Sequence, residues 1–171
     1  SSTSQNSNRN NLELNQKKSI YLDLENNEVN LSSFKGKKIL INYWATWCGP
    51  CIQEMPSLLR AQEQLKSEYV FLLVSEESTQ RISRFISRKK FNFNYIRSRV
   101  SLASIGIYSL PITIIYDEEG KEIKTIEGSV VWDSNRMIKK QQVRLTDERT
   151  AFKPFAYPWA YNAWLQHEQS H

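Results

Sequence analysis

Apolar residues along this 171-residue chain fall into two kinds of pattern. Two short stretches are almost continuously apolar: Ile39–Ala45 (ILINYWA), entered through Lys37-Lys38, and Tyr69–Ser75 (YVFLLVS). Runs of that length without alternation predict strands buried on both faces of a sheet. Between them Met55, Leu58, Leu59, Gln62 and Leu65 recur at helical spacing and predict a helix from about Pro50 to Lys66. Ile82, Phe85 and Ile86 mark one face of a second helix, Thr79 to Lys90. A short extended piece near Phe93–Ile96 and a small helix around Leu102–Ile105 follow. Ile112–Tyr116 and Glu122–Ile126 read as strands, joined by a glycine-containing hairpin turn at Glu118–Lys121. Upstream, Ile20–Leu24 and Glu28–Leu31 flank an Asn26-Asn27 turn, and Ser32–Gly36 is a turn or a short helical piece. Asp133–Val143, with Asp133 or Ser134 as cap, is the last predicted helix. Strand–helix–strand followed by strand–strand–helix implies an α/β layer, a central mixed β-sheet flanked by helices on both faces.

The same pattern divides the chain into three. Residues 1–18 are polar, beginning SSTSQNSNRNN, and read as a flexible leader: the tether of an exported domain or a disordered terminus. Residues 19–143 carry the predicted elements. Residues 144–171 differ again, since six aromatics and two prolines crowd between Phe152 and Trp164. Prolines there argue against one long helix. The readings for this tail are a segment folded back over the domain, a partner-binding arm, or a membrane-interface patch. The chain is long enough for a real core, and no apolar run approaches the length of a membrane-spanning helix.

Charge changes the picture more by its distribution than by its net value of +5. From Ser78 to Tyr116 there is no acidic residue, while Arg81, Arg84, Arg88, Lys89, Lys90, Arg97 and Arg99 supply seven positive charges. Arg81, Arg84 and Arg88 share one helical face at i, i+3 and i+7. Two readings stand: a solvated face of an amphipathic helix, or a surface for an acidic partner or an anionic membrane. Nucleic acid is not expected, because no binding motif accompanies the charge.

The chemistry concentrates in YWATWCGPCIQEMP, which holds the only two cysteines, Cys48 and Cys51. A structural zinc site needs about four ligands. The two histidines, His167 and His171, lie in the tail, so no metal site is expected. A disulfide closing so short a loop is a weak staple, because it removes little entropy from the unfolded chain. Redox chemistry suits the pair. Cys48 falls where a strand ends and a helix begins, so its thiolate faces unpaired N–H groups and the positive end of the helix dipole. Both lower a thiol's pKa, and the thiolate is the nucleophile of disulfide exchange. Cys51, one turn further on, is placed to resolve a mixed disulfide. Gly49 permits a tight entry and Pro50 sits near the first helical position, where its missing N–H is no loss.

These residues resemble a known family. Trp44-Ala45-Thr46-Trp47-Cys48-Gly49-Pro50-Cys51, with Pro56 five residues later and Pro111 before a strand, is similar to the thioredoxin superfamily. LINYWATWCGPCIQEMPSL resembles its extracytoplasmic TlpA/ResA-like branch, and the resemblance runs from about Ile20 to Gln142. It implies a thioredoxin-like fold with Cys48 attacking, Cys51 resolving and Pro111 as a cis-proline whose loop pairs with an extended substrate segment. Trp47, Gly49, Pro50 and Leu110 are then the residues expected to meet the substrate. Cytoplasmic thioredoxins carry a buried Asp six residues before the first cysteine; here that position is Asn42, which cannot shuttle protons. Glu54 matches the acid of the TlpA/ResA-like branch and, at i+3 from Cys51, shares its helical face. If buried it holds its proton and serves proton transfer at Cys51; the other reading is an ordinary exposed glutamate. Pro56 reads also as a helix kink. The chain departs from the family pattern in Ile112, where a Thr after the proline is commoner, in its short N-terminal hairpin, and in its aromatic tail.

The implied function is a thiol–disulfide oxidoreductase that reduces exported proteins, apocytochrome c among the candidates, with no cofactor beyond the Cys48–Cys51 disulfide. Its electrons would come from a membrane thiol–disulfide donor. Its place would be outside the cytoplasm, in the periplasm or on the outer membrane face, either soluble there or anchored through a removed or lipidated N-terminal segment. Thiol oxidase or isomerase activity is the alternative within redox chemistry. A binding module using the basic helix and aromatic tail is the alternative outside it.

Overall fold

The computed structural model describes residues 18–134 and 137. The leader, the aromatic tail and nearly all of the predicted helix Asp133–Val143 lie outside the described residues. Six strands form one mixed sheet: β1 (Tyr21–Leu22), β2 (Lys38–Tyr43), β3 (Tyr69–Ser75), β4 (Asn94–Ser98), β5 (Ile112–Tyr116) and β6 (Glu122–Glu127), in the order β1-β4-β3-β2-β5-β6. The parallel core is β2, β3 and β4; β5 runs antiparallel to β2, β6 to β5, and β1 to β4. β2 and β3 are the two continuous apolar runs, and their central position explains the lack of alternation: both of their faces are covered.

Two α-helices connect the parallel strands, α1 (Gly49–Leu65) between β2 and β3 and α2 (Thr79–Lys89) between β3 and β4. Both crossovers step the same way along the sheet, so right-handed connection places both helices on one face. Leu40 and Trp44 of β2, Phe71 and Leu73 of β3, Met55 and Leu58 of α1, and Ile82 and Phe85 of α2 make the core there. On the other face Ile39, Ile41, Tyr43, Leu72 and Val74 pack beneath two 3-10 helical turns, Leu31–Phe34 and Ala103–Ile105. At roughly 1.5–3 kcal/mol for each large apolar side chain removed from water, both layers contribute to stability.

Where tertiary pairing acts, the elements differ from the sequence expectation. The second N-terminal segment contributes one bridge, Leu22 to Glu28, instead of a strand. Asn26 takes a left-handed conformation (φ 66°) at the turn before it. β4 begins one residue later than expected and runs to Ser98, because β1 pairs with Arg97 and Ser98 on its outer side. Ser78 caps α2 through its hydroxyl, and Lys90 ends the helix in the left-handed region.

Candidate active site

The disulfide stands at the seam between β2 and α1. Trp44 leaves the strand with its N–H donated to the Val74 carbonyl at 3.0 Å. Its ring locks into the core against Phe85 and Tyr95, with centroids 4.8 and 5.7 Å away. The next residues bend over the end of the sheet, and Glu77 holds them there. Its carboxylate accepts from the Thr46 N–H and the Thr46 hydroxyl, both at 2.6 Å. Trp47 is left 69 % exposed.

Cys48 is the N-cap of α1, with extended backbone. It is bonded to Cys51 with their Cα atoms 5.3 Å apart. The Cys48 Sγ accepts the Cys51 N–H at 3.3 Å, so the sulfur already takes one of the helix's unpaired donors. Cys51 is fully buried and Cys48 nearly so, with 4 % of its surface exposed. Gly49 and Pro50 are exposed beside them. Pro50 lies in the first turn of α1, as the sequence predicts, and Pro56 lies inside the helix.

The Leu110–Pro111 peptide bond is cis. Ile112 is paired with Tyr43, so continuing the antiparallel register by one residue sets Pro111 opposite Trp44, at the same end of the sheet as the cysteines. The Pro111 carbonyl accepts from Gly128, and Leu110 packs against the core cluster that contains both cysteines.

Glu54 is buried, 4 % exposed, on the face of α1 that meets the sheet. Its Oε1 accepts from Asn42 Nδ2 at 2.8 Å, and its Oε2 accepts from the Val130 N–H at 3.1 Å and the Trp132 indole N–H at 3.0 Å. Burial raises the pKa of this carboxyl, and the three donors, which favour the anion, offset the rise only in part. Asn42 Nδ2 also donates to Thr113 Oγ1 at 3.0 Å, while the buried Asn42 Oδ1 has no partner among the described residues. Ser57 ties the same corner together: it donates to the Glu54 carbonyl and accepts the Trp132 N–H.

Sequence reasoning missed three parts of this site: Thr113, Trp132 and the Glu77 clamp. Thr113 was within reach, since it pairs directly with Asn42 across β2 and β5 and stands on the same face of the sheet. Trp132 and Glu77 carried no local signal. They are separated from their partners by 78 and 31 residues. No cluster of three or more His, Cys, Asp or Glu side chains that could hold a metal occurs among the described residues. No helix among them is long and apolar enough to cross a membrane.

A mixed sheet whose central parallel strand runs into a Cys-Gly-Pro-Cys helix, with a cis-proline at the same end of the sheet, defines a thioredoxin-like domain. The Redoxin family model matches residues 12–141, and the chain belongs to that family, in its TlpA/ResA-like branch. Among curated proteins it is similar to the thiol-disulfide oxidoreductase ResA of Bacillus subtilis (strain 168), 30 % identical over 125 residues, covering 68 % of this chain and 70 % of that one. It is also similar to ResA of Bacillus thuringiensis subsp. konkukian, 29 % identical over 113 residues, covering 64 % and 65 %. The chain thus spans about 65 % of the length of the first of the curated relatives it matches. Among solved structures, a thiol:disulfide interchange protein of the thioredoxin family from Chlorobium tepidum superposes with a TM-score of 0.57 at 19 % identity, covering 72 % of this chain and 94 % of that one. At that identity the likeness shows the fold.

Proposed function

We propose that this protein is a thiol–disulfide oxidoreductase that reduces disulfides in other proteins through Cys48 and Cys51. The observation that carries the reading is the cysteine pair itself, bonded across the first turn of a helix whose next turn buries an acid. In the reduced protein the Cys48 thiolate, favoured by the helix N-terminus, attacks one sulfur of a substrate disulfide. A bond forms between Cys48 and that sulfur as the substrate S–S bond breaks, and the released substrate thiolate takes a proton. The Cys51 thiolate then attacks Cys48 Sγ. The mixed disulfide breaks, the second substrate thiol leaves, and the Cys48–Cys51 disulfide remains, two electrons having passed to the substrate.

Glu54 is assigned to the Cys51 step. A carboxyl whose pKa is raised by burial is suited to take the proton that Cys51 must lose and to return it when the disulfide is opened again. Asn42 adapts to either state of the acid. Its amino group donates to the carboxylate; with the amide turned over, its now unpartnered oxygen accepts the proton of the acid form, while the Thr113 hydroxyl switches between accepting and donating. Pro111 and Leu110 shape the edge against which a substrate strand lies, and Trp47, Gly49 and Pro50 form the exposed surface around it. The substrates are thiol- or disulfide-bearing proteins outside the cytoplasm, with apocytochrome c among them, and the electrons come from a membrane thiol–disulfide donor. These assignments follow from the family resemblance.

The deciding measurement is the reduction potential of the Cys48–Cys51 couple against glutathione. A reductase is expected nearer to about −270 mV, the value of thioredoxin, than to about −120 mV, the value of a strong periplasmic oxidant. A value at the oxidising end would overturn the direction assigned here.

A further inference from the structure

The face of α2 turned away from the core is built unlike an ordinary solvated helix. Helices of that kind intersperse charges of both signs, with acidic residues in the first turn to complement the dipole. The first turn of α2 has no acid and instead carries Arg81; Arg84 follows, and Arg88 and Lys89 stand in the last turn, where positive charge suits the dipole. The placement of Arg81 opposes the helix dipole. Arg81 reaches Glu77 at 3.8 Å, but that carboxylate is already held by Thr46. Arg84 and Arg88 make no ion pair among the described residues.

These side chains line a groove. Thr46, Arg81, Ser83, Arg84, Ser87 and Arg88 surround an open hollow of about 650 Å³. Guanidinium groups and serine hydroxyls offer donors on the same surface, a set that fits carboxylates. Thr46 fixes the groove's relation to the chemistry, because it stands two residues before Cys48, with the exposed Trp47 between. A chain lying in the groove therefore passes directly to the disulfide.

We infer that this groove docks an acidic segment of the protein substrate, next to the cysteine of that substrate which Cys48 attacks. This rests on the oxidoreductase reading and adds to it a charge preference. An extended acidic peptide is favoured over an anionic membrane because the arginine face runs on to Thr46 and so to the active-site loop, where a substrate chain must lie. The groove accelerates encounter and lowers KM for acidic substrates, and leaves the bond-making step to Cys48 and Cys51.

The test compares two disulfide-containing peptides of equal length, one with a run of glutamates beside its cysteine and one with glutamines in the same places. The ratio of their kcat/KM values is the readout, so variants are compared through the ratio and a general loss of fold cancels. The full chain is expected to prefer the acidic peptide by about tenfold at low ionic strength and to lose the preference in about 1 M salt, where charges are screened within about 3 Å. Arg84→Glu/Arg88→Glu reverses the preference, and Arg84→Lys/Arg88→Lys keeps most of it. A ratio near one in the unaltered protein, with both peptides turned over, overturns this inference alone. Turnover of neither peptide overturns the oxidoreductase reading together with it. Vesicles of phosphatidylcholine with phosphatidylglycerol supply the remaining arm. If the glutamate variant loses vesicle binding while the peptide ratio stays unchanged, the face belongs to a membrane and the inference falls.

Discussion

The two faces of β2 bury polar groups in opposite ways. Toward the α-helices, Asn42 meets Glu54, an ionisable acid with donors on both oxygens. Toward the 3-10 turns, Tyr43 meets Tyr21, hydroxyl to hydroxyl at 2.8 Å. Burial raises the pKa of both phenols far beyond any ordinary pH, so that face stays neutral and does not change state. The acid of the first face is pushed up too, by the same desolvation, but from the much lower ordinary range of a carboxyl, and three donors that favour its anion oppose the rise. The same force, desolvation, thus acts on a pair of phenols on one side and on a carboxyl on the other. What differs is the intrinsic acidity of the side chain and its place, one helical turn from Cys51.

The contrast can be broken most forcefully at the sulfur. Cys48→Ser is expected to lower disulfide reduction by about 10³-fold or more, measured with insulin or a disulfide peptide, since no other nucleophile stands at the helix N-terminus. Cys51→Ser should instead trap a mixed disulfide that mass spectrometry detects. Next comes Glu54→Gln. The raised pKa means that the folded protein binds this proton more tightly than the unfolded chain does. Stability contributed by protonated Glu54 is therefore present at low pH and lost as pH rises through the folded pKa. Glu54→Gln should flatten that decline in urea titrations run across the acidic to neutral range, and should shift the pH profile of Cys alkylation in the reduced protein. An unchanged alkylation profile would remove Glu54 from the mechanism.

The smallest effects sharpen the comparison best. Thr113→Val and Tyr43→Phe each delete one buried hydroxyl, on opposite faces, and each should cost about 1 kcal/mol in denaturant unfolding. Only Thr113→Val is expected to move the alkylation profile as well, because its hydroxyl touches Asn42 and through it Glu54. If both variants shifted the profile alike, the two faces would not be separable.

Much of this was legible locally. The apolar runs of β2 and β3, the helical stripe of α1 and the hairpin after Pro111 lie in continuous sequence, where strand and helix periodicity can be counted. Cys48 and Cys51 were equally plain, since a helix N-terminus and a three-residue spacing are properties of neighbouring residues. Asn42 and Glu54 could be named as the groups that matter, but their meeting could not be foreseen. Twelve residues separate them, and their 2.8 Å contact exists because α1 folds back across β2.

The sequence by itself therefore determined the class of fold, the cysteine pair and its place at a helix N-terminus, because these depend on interactions within a few residues. Only the tertiary structure decided that Glu54 is buried. The exposed-glutamate reading of Glu54 fails because Val130 and Trp132, delivered by the chain after β6, close over the carboxyl. It also decided that the arginine face of α2 opens at Thr46, since Glu77 must bridge strand end and helix start for the two to meet. Desolvation and long-range hydrogen bonding act between segments, and a residue's neighbours in sequence carry no record of them.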